Sequence, residues 1–208
     1  MIKNLIYLLM TVSGLVFIVN GQTVSASAQD NNRVQDNVLG ISFAKVGEVT
    51  RIDNTTFSIK LPSSDVNQLY NATAMVSVSN KLYVDLPGSY GGRLYLDSPN
   101  STGIIQNIVK VDSIISGQQN YRREYWTVYA GMGMWDCVIN CYFQSQGRYY
   151  IVSYVQDKQL GKPGEIIDGK EQKSEDLKLQ ALSFLEDKNN SSINAFYQLL
   201  SSFQIKSN

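Results

Sequence analysis

Histidine is absent from all 208 residues, which removes imidazole from every catalytic or metal-binding scheme open to this chain. Serine–histidine–aspartate and cysteine–histidine sites, as normally built, are excluded, and so are zinc sites that depend on imidazole. Carboxylates, lysines and tyrosines remain. Acid pairs such as Asp85 with Asp97, or Asp112 with Glu124, have the composition of a glycosidase dyad, but any β-rich chain offers such pairs. No GxSxG elbow is present, and the loop around Ser89 lacks that spacing. Gly131-Met132-Gly133-Met134 departs from a phosphate-cradling GxGxxG at Asp136 and is not followed by a helical pattern, so it reads as a bend or bulge. No residue is assigned a catalytic, cofactor-binding or metal-ligating role.

Two thiols complete the chemical inventory. Trp135, Cys137, Ile139, Cys141 and Phe143 alternate with Asp136, Val138, Asn140, Tyr142 and Gln144, which predicts a strand with both sulfurs on its apolar face. Four residues along a strand separate Cα atoms by about 13 Å, whereas a disulfide needs less than about 7 Å. Cys137 and Cys141 are therefore expected as free, buried thiols. Tyr121-Arg122-Arg123-Glu124-Tyr125-Trp126 interleaves cations with aromatics as single-strand nucleic-acid grooves do. Without a wider basic surface it reads instead as a solvated strand face with Arg122 or Glu124 outward.

The setting for this chemistry comes from the N-terminus. Lys3, the apolar run Leu5 to Val19 and the Ala26-Ser27-Ala28 pattern form a secretion signal, with cleavage expected after Ala28 and an uncleaved anchor as the alternative. Without Lys3 the remaining chain carries 17 basic against 18 acidic residues, a net charge of −1. Near-neutrality favours neither nucleic acid nor an anionic membrane as partner. Thirteen tyrosines, seven phenylalanines and two tryptophans in the whole chain push its composition toward β-structure and an aromatic binding surface. That length suits one compact domain.

The elements that must position these groups are short alternating runs from Asn31 to Gln156, the pattern of an antiparallel sheet. Val46 to Ile52 and Phe57 to Leu61 form a hairpin around Asp53-Asn54. A single helical turn is expected after Ser63 or Ser64. Ala74 to Val78 and Leu82 to Leu86 flank a tight reversal at Ser79-Asn80-Lys81, and Pro87 to Gly92 form a flexible loop. Tyr149 to Val155 carries Tyr150, Val152 and Tyr154 on its core face. Residues 158–173 are polar and read as a surface loop. Ser174 caps a helix with the apolar stripe Leu177, Ala181, Leu182 and Leu185, and Ile193, Phe196, Tyr197 and Leu200 mark a second amphipathic helix. Phe203 and Ile205 alternate as a final strand.

Three strings, Phe57 to Pro62 (F-S-I-x-L-P), Tyr149 to Val155 and Ser201 to Ile205 (S-S-F-x-I), occur in an order that resembles the PsbP-like family of small exported proteins. Ser63-Ser64-Asp65 stands where members often carry tryptophan. The resemblance implies an α+β fold, a central antiparallel sheet with C-terminal helices packed on it, and a docking or assembly role rather than turnover; it transfers no functional residue. The function expected is an exported, non-catalytic binding module without cofactor, meeting a protein or membrane-complex partner through exposed aromatics such as Tyr90 and Trp126. The alternatives are a secreted carboxylate-dependent hydrolase and an aromatic-lined β-barrel binding an apolar ligand.

Overall fold

The computed structural model describes residues 16–19, 22–25, 32–62, 72–86, 92–95, 108–116 and 119–206. The helical turn expected after Ser63 or Ser64 and the loop bearing Tyr90 lie outside the described residues, as does most of the segment expected to be a secretion signal. Within that segment, β1 (Val16–Val19) pairs antiparallel with β2 (Gln22–Ser25).

The body of the fold is a seven-stranded antiparallel sheet made of two meanders. The first contains β5 (Glu48–Asp53), β6 (Thr56–Lys60) and β7 (Thr73–Ser79). The second contains β10 (Ile108–Ser116), β11 (Gln119–Gly131), β12 (Met134–Ser145) and β13 (Arg148–Gln159). They join where β13 pairs with β7, giving the order β10-β11-β12-β13-β7-β6-β5. Because β10 and β5 are the two edges, the sheet is open and the barrel alternative fails. Between β12 and β13 the chain turns in two residues, Gln146 and Gly147, both at positive φ (51° and 73°), which suits the twist of a hairpin. Between β11 and β12 the bend expected at Gly131 and Gly133 is present, with φ of 98° and 79°. At Gly133 the positive φ itself disfavours a side chain, and a Cβ there would also displace Gln159, whose Nε2 would lie 2.5 Å away.

One face of the sheet carries Phe57, Ile59, Val76, Trp135, Cys137, Ile139, Cys141, Phe143, Val152 and Tyr154, all buried. Two helices cover it, α1 (Ser174–Glu186) and α2 (Ser191–Ser202), making the protein an α+β fold. The stripe expected on α1 is buried at Leu177, Ala181 and Leu185, but its N-cap is Lys173, and Ser174 lies inside the helix with no capping hydrogen bond. Glu175 and Asp176 still place negative charge at the positive end of the helix dipole. Asn190 caps α2 properly, its side chain accepting from the backbone N–H of Ser192 and Ile193. Beyond α2, β16 (Gln204–Ile205) pairs with β4 (Ile41–Ala44), which pairs in turn with β3 (Arg33–Asp36), and Phe43 and Ile41 complete the apolar layer.

The opposite face departs from the sequence expectation. β8 (Tyr83–Leu86) pairs with β9 (Gly92–Tyr95) and not with β7, so Ser79-Asn80-Lys81 does not close a hairpin within the sheet. Instead β8 leaves the sheet and packs on it: Val84 joins Trp126, Val128 and Val138, while Tyr83 joins Tyr142 and Ile151. Strands β11 to β13 are thereby buried on both faces rather than one. Residues 158–173 are largely exposed and contain the two-residue hairpin of β14 (Ile166–Ile167) with β15 (Lys170–Glu171). No helix among the described residues is long and apolar enough to cross a membrane.

Candidate functional site

Same-face residues of an antiparallel pair stand side by side, and β10 and β11 use this to build a charged patch at the sheet edge. Lys110 lies opposite Tyr125, and Asp112 opposite Arg123. The C-terminal end of α1 brings Glu186, the turn after it brings Lys188, and α2 brings Asn194 and Tyr197 one helical turn apart. Together these side chains line a cleft of about 580 Å³.

Its electrostatics are cationic with aromatic walls. Lys110 Nζ donates to Glu186 Oε1 at 2.6 Å and sits 3.7 Å from Asp112 Oδ2. Arg123 donates to Asp112 Oδ2 at 2.8 Å and to the Tyr197 hydroxyl at 3.5 Å. Its guanidinium lies 5.2 Å from the Tyr125 ring centroid and 5.8 Å from that of Tyr197, within cation–π range of both. The two phenols are linked, OH to OH, at 3.2 Å. Arg123 Nε is buried and has no hydrogen-bond partner. Burial, followed by the hydrogen bond to Tyr197, pushes the Tyr125 phenol above its usual range, and burial pushes neighbouring Tyr121 up to about 12. Both therefore stay neutral and available as hydrogen-bond donors. The Lys110–Glu186 bond raises Lys110, which keeps its positive charge. The arrangement can hold an anion. It offers no activated nucleophile.

The sequence-predicted residues fall elsewhere. Trp126, expected as an exposed partner contact, is fully buried; its indole N–H donates to Glu124 Oε2 at 3.0 Å. Glu124, expected outward, is only 3 % exposed and pairs with the exposed Arg122 at 2.6 Å. The reason in both cases is β8, whose packing turns a face that looks amphipathic into a second interior layer. Cys137 and Cys141 are buried and unbridged on the helix-covered face. Burial pushes the Cys137 thiol up to about 12 and Cys141 higher still, so neither presents a thiolate.

The acid pairs do not assemble. Asp112 pairs in register with Arg123 and Val111 with Glu124, so Asp112 and Glu124 project to opposite faces. Asp97 lies outside the described residues. A pair that sequence reasoning passed over is Asp136 with Asp157, directly opposed across β12 and β13. Neither lines the cleft at the β10–β11 edge. The cleft was also missed. Its only trace in the sequence is the matched parity of Lys110-x-Asp112 and Arg123-x-Tyr125, which gains meaning once β10 and β11 are known to be neighbours.

The fold and the cleft define an α+β protein with an anion-accepting, aromatic-walled groove between a sheet edge and two helices. No protein-family model matches the chain, and no curated protein matches it in sequence. Among solved structures, the solution structure of cyanobacterial PsbP (CyanoP) from Synechocystis sp. PCC 6803 is similar over 86% of this chain and 98% of that one, at 12% identity and a TM-score of 0.33.

Proposed function

We propose that this chain is an exported, non-catalytic binding module that docks a protein partner by receiving one of the partner's acidic side chains in the cleft. The observation that carries this reading is the charge of the lining: Lys110, Arg123 and Lys188 meet Glu186, with Asp112 beside Lys110 and Arg123, so three cations against two carboxylates leave one positive charge in excess. Lys188 has no acidic partner among the described residues, and Lys110 is held by an exposed pair that an incoming carboxylate can replace at little cost. The phenols of Tyr125 and Tyr197 supply hydroxyl groups and rigid aromatic area, the combination that anchors protein interfaces. The N-terminal signal pattern supports a meeting outside the cytoplasm.

The test is titration of the protein with a glutamate-rich peptide and with its glutamine counterpart, followed by backbone NMR shifts. Binding of the acidic peptide alone, with shifts centred on Lys110, Arg123 and Tyr197 and at least tenfold weaker in Lys188→Glu, is the expected result. Equal binding of both peptides, or an affinity indifferent to Lys188→Glu, would sink the assignment.

A further inference from the structure

Asp136 and Asp157 stand directly opposite each other on β12 and β13, on the sheet face that β8 covers. Asp136 has no exposed surface, and both of its carboxyl oxygens, with Oδ1 of Asp157, are buried without a conventional donor. Among the described residues no ion pair is made to either carboxyl. On β11 the neighbour opposite Asp136 is Val128, and along the same face Val138 and Val155 follow on the two strands themselves. From the covering strand comes Val84, and β10 contributes Ile108 to the same cluster. The charged groups of this face among the described residues are Arg122 and Glu124, which neutralise each other farther along β11, and Lys60 opposite Glu48 on the outer strands β6 and β5. Lys158 follows Asp157 in sequence but turns to the other face, where its Nζ sits 4.8 Å from the Phe184 ring centroid.

Two carboxylates in such a layer cannot both be ionised without a large desolvation and repulsion cost. The one hydrogen bond open to them is from one carboxyl to the other, which requires a proton. We propose that Asp136 and Asp157 hold one proton between them at neutral pH and act as an alkaline release for the covered face of the sheet. Burial, then the hydrogen bond and charge of Asp157, push Asp136 up to about 8. Losing that proton puts two like charges under Val84 and Trp126 and favours lifting of β8.

The linkage has a definite sign. Asp136 is raised above its ordinary value, so the unfolded chain gives up this proton near pH 4 while the folded chain keeps it to about pH 8. The stability this group contributes is present in full below about pH 4 and is lost as pH rises to about 8, the folding constant falling up to tenfold per pH unit.

The experiment is a carboxyl-carbon NMR titration of the intact protein and of Asp136→Asn, read together with backbone amides. One side-chain carboxyl should titrate near pH 8 in the wild type and be missing from the variant, and the amide signals of Val84 and Trp126 should move with the same midpoint while Cys141 and Phe196 stay still. Chemical denaturation of Asp136→Asn should show a flatter pH dependence between about pH 4 and 8. The proposal fails if no carboxyl titrates above about pH 6, or if the carboxyl titrates and Val84 and Trp126 do not respond. Should Asp136→Asn not fold, the wild-type titration decides alone, and Asp157→Asn should lower the remaining midpoint by removing the like charge.

Discussion

The two faces of the central sheet are built on opposite principles from the same strands. Toward the helices, β12 presents Trp135, Cys137, Ile139, Cys141 and Phe143, a continuous apolar layer into which Phe196 and Leu185 pack. Toward β8 the same strand presents Asp136, Val138, Asn140 and Tyr142, and the adjoining strands add Glu124, Ser153 and Ser77, all buried. The first face gains stability from area removed from water. The second must satisfy polar groups in a thin apolar cover, where each unmade hydrogen bond costs more than a made one returns. The contrast locates robustness on one side and conditional behaviour on the other.

Breaking the helix face should have the largest effect. Phe196 is fully buried and meets Tyr154 edge to face at 5.7 Å, so Phe196→Ala should cost about 3 to 5 kcal/mol in urea denaturation. A neutral result would mean that the α2 stripe is not a core element. On the other face, Glu124→Ala leaves the Trp126 indole N–H without its acceptor, and the expected loss is about 1 to 3 kcal/mol. A red shift of tryptophan emission should accompany it if the cover loosens, whereas a loss equal to that of Phe196→Ala would erase the distinction between the faces.

Smaller effects sharpen the comparison. Replacing Cys137 or Cys141 by alanine should cost about 1 kcal/mol each, as for removal of a small buried group, and alkylating reagents should reach these thiols only after denaturant is added. A wild-type mass unchanged by reduction would agree with their unbridged state. Least of all, Lys110→Ala should change stability by under about 1 kcal/mol, because its bond to Glu186 is exposed and screened. Its consequence should be read in peptide affinity at the cleft, which separates binding residues from structural ones.

Legibility of the chain follows the same division. Strict alternation in β12 and β13 and the 3.6-residue stripes of both helices made the helix-covered layer readable, since period alone decides which residues turn inward there. Nothing local could show that Tyr83 and Val84 would leave the sheet and lie on Tyr142 and Trp126. Alternation marks which side chains share a face but not whether a second layer arrives. Trp126 and Glu124 were therefore placed at the surface when their environment depends on a strand some forty residues earlier. The cleft was harder still, because Lys110, Arg123, Lys188 and Tyr197 come from four separate stretches and none is unusual in its own context. The family resemblance gave the arrangement of sheet and helices but no site.

The pairing of β16 with β4 joins Gln204 to Ser42 and Ile205 to Ile41, and Arg33 reaches across to the carbonyl of Ser202. Contacts spanning so much of the sequence form late, because the loop they close must be ordered before they repay it. A chain threaded through a membrane from its N-terminus would have the β10 to β13 meander available early, whereas β4 would wait for a partner held in the last residues to emerge. Closure of the apolar layer is thus tied to the pairing of Gln204 and Ile205, and a chain in which β16 is unpaired would leave Phe43 and Ile41 less well covered.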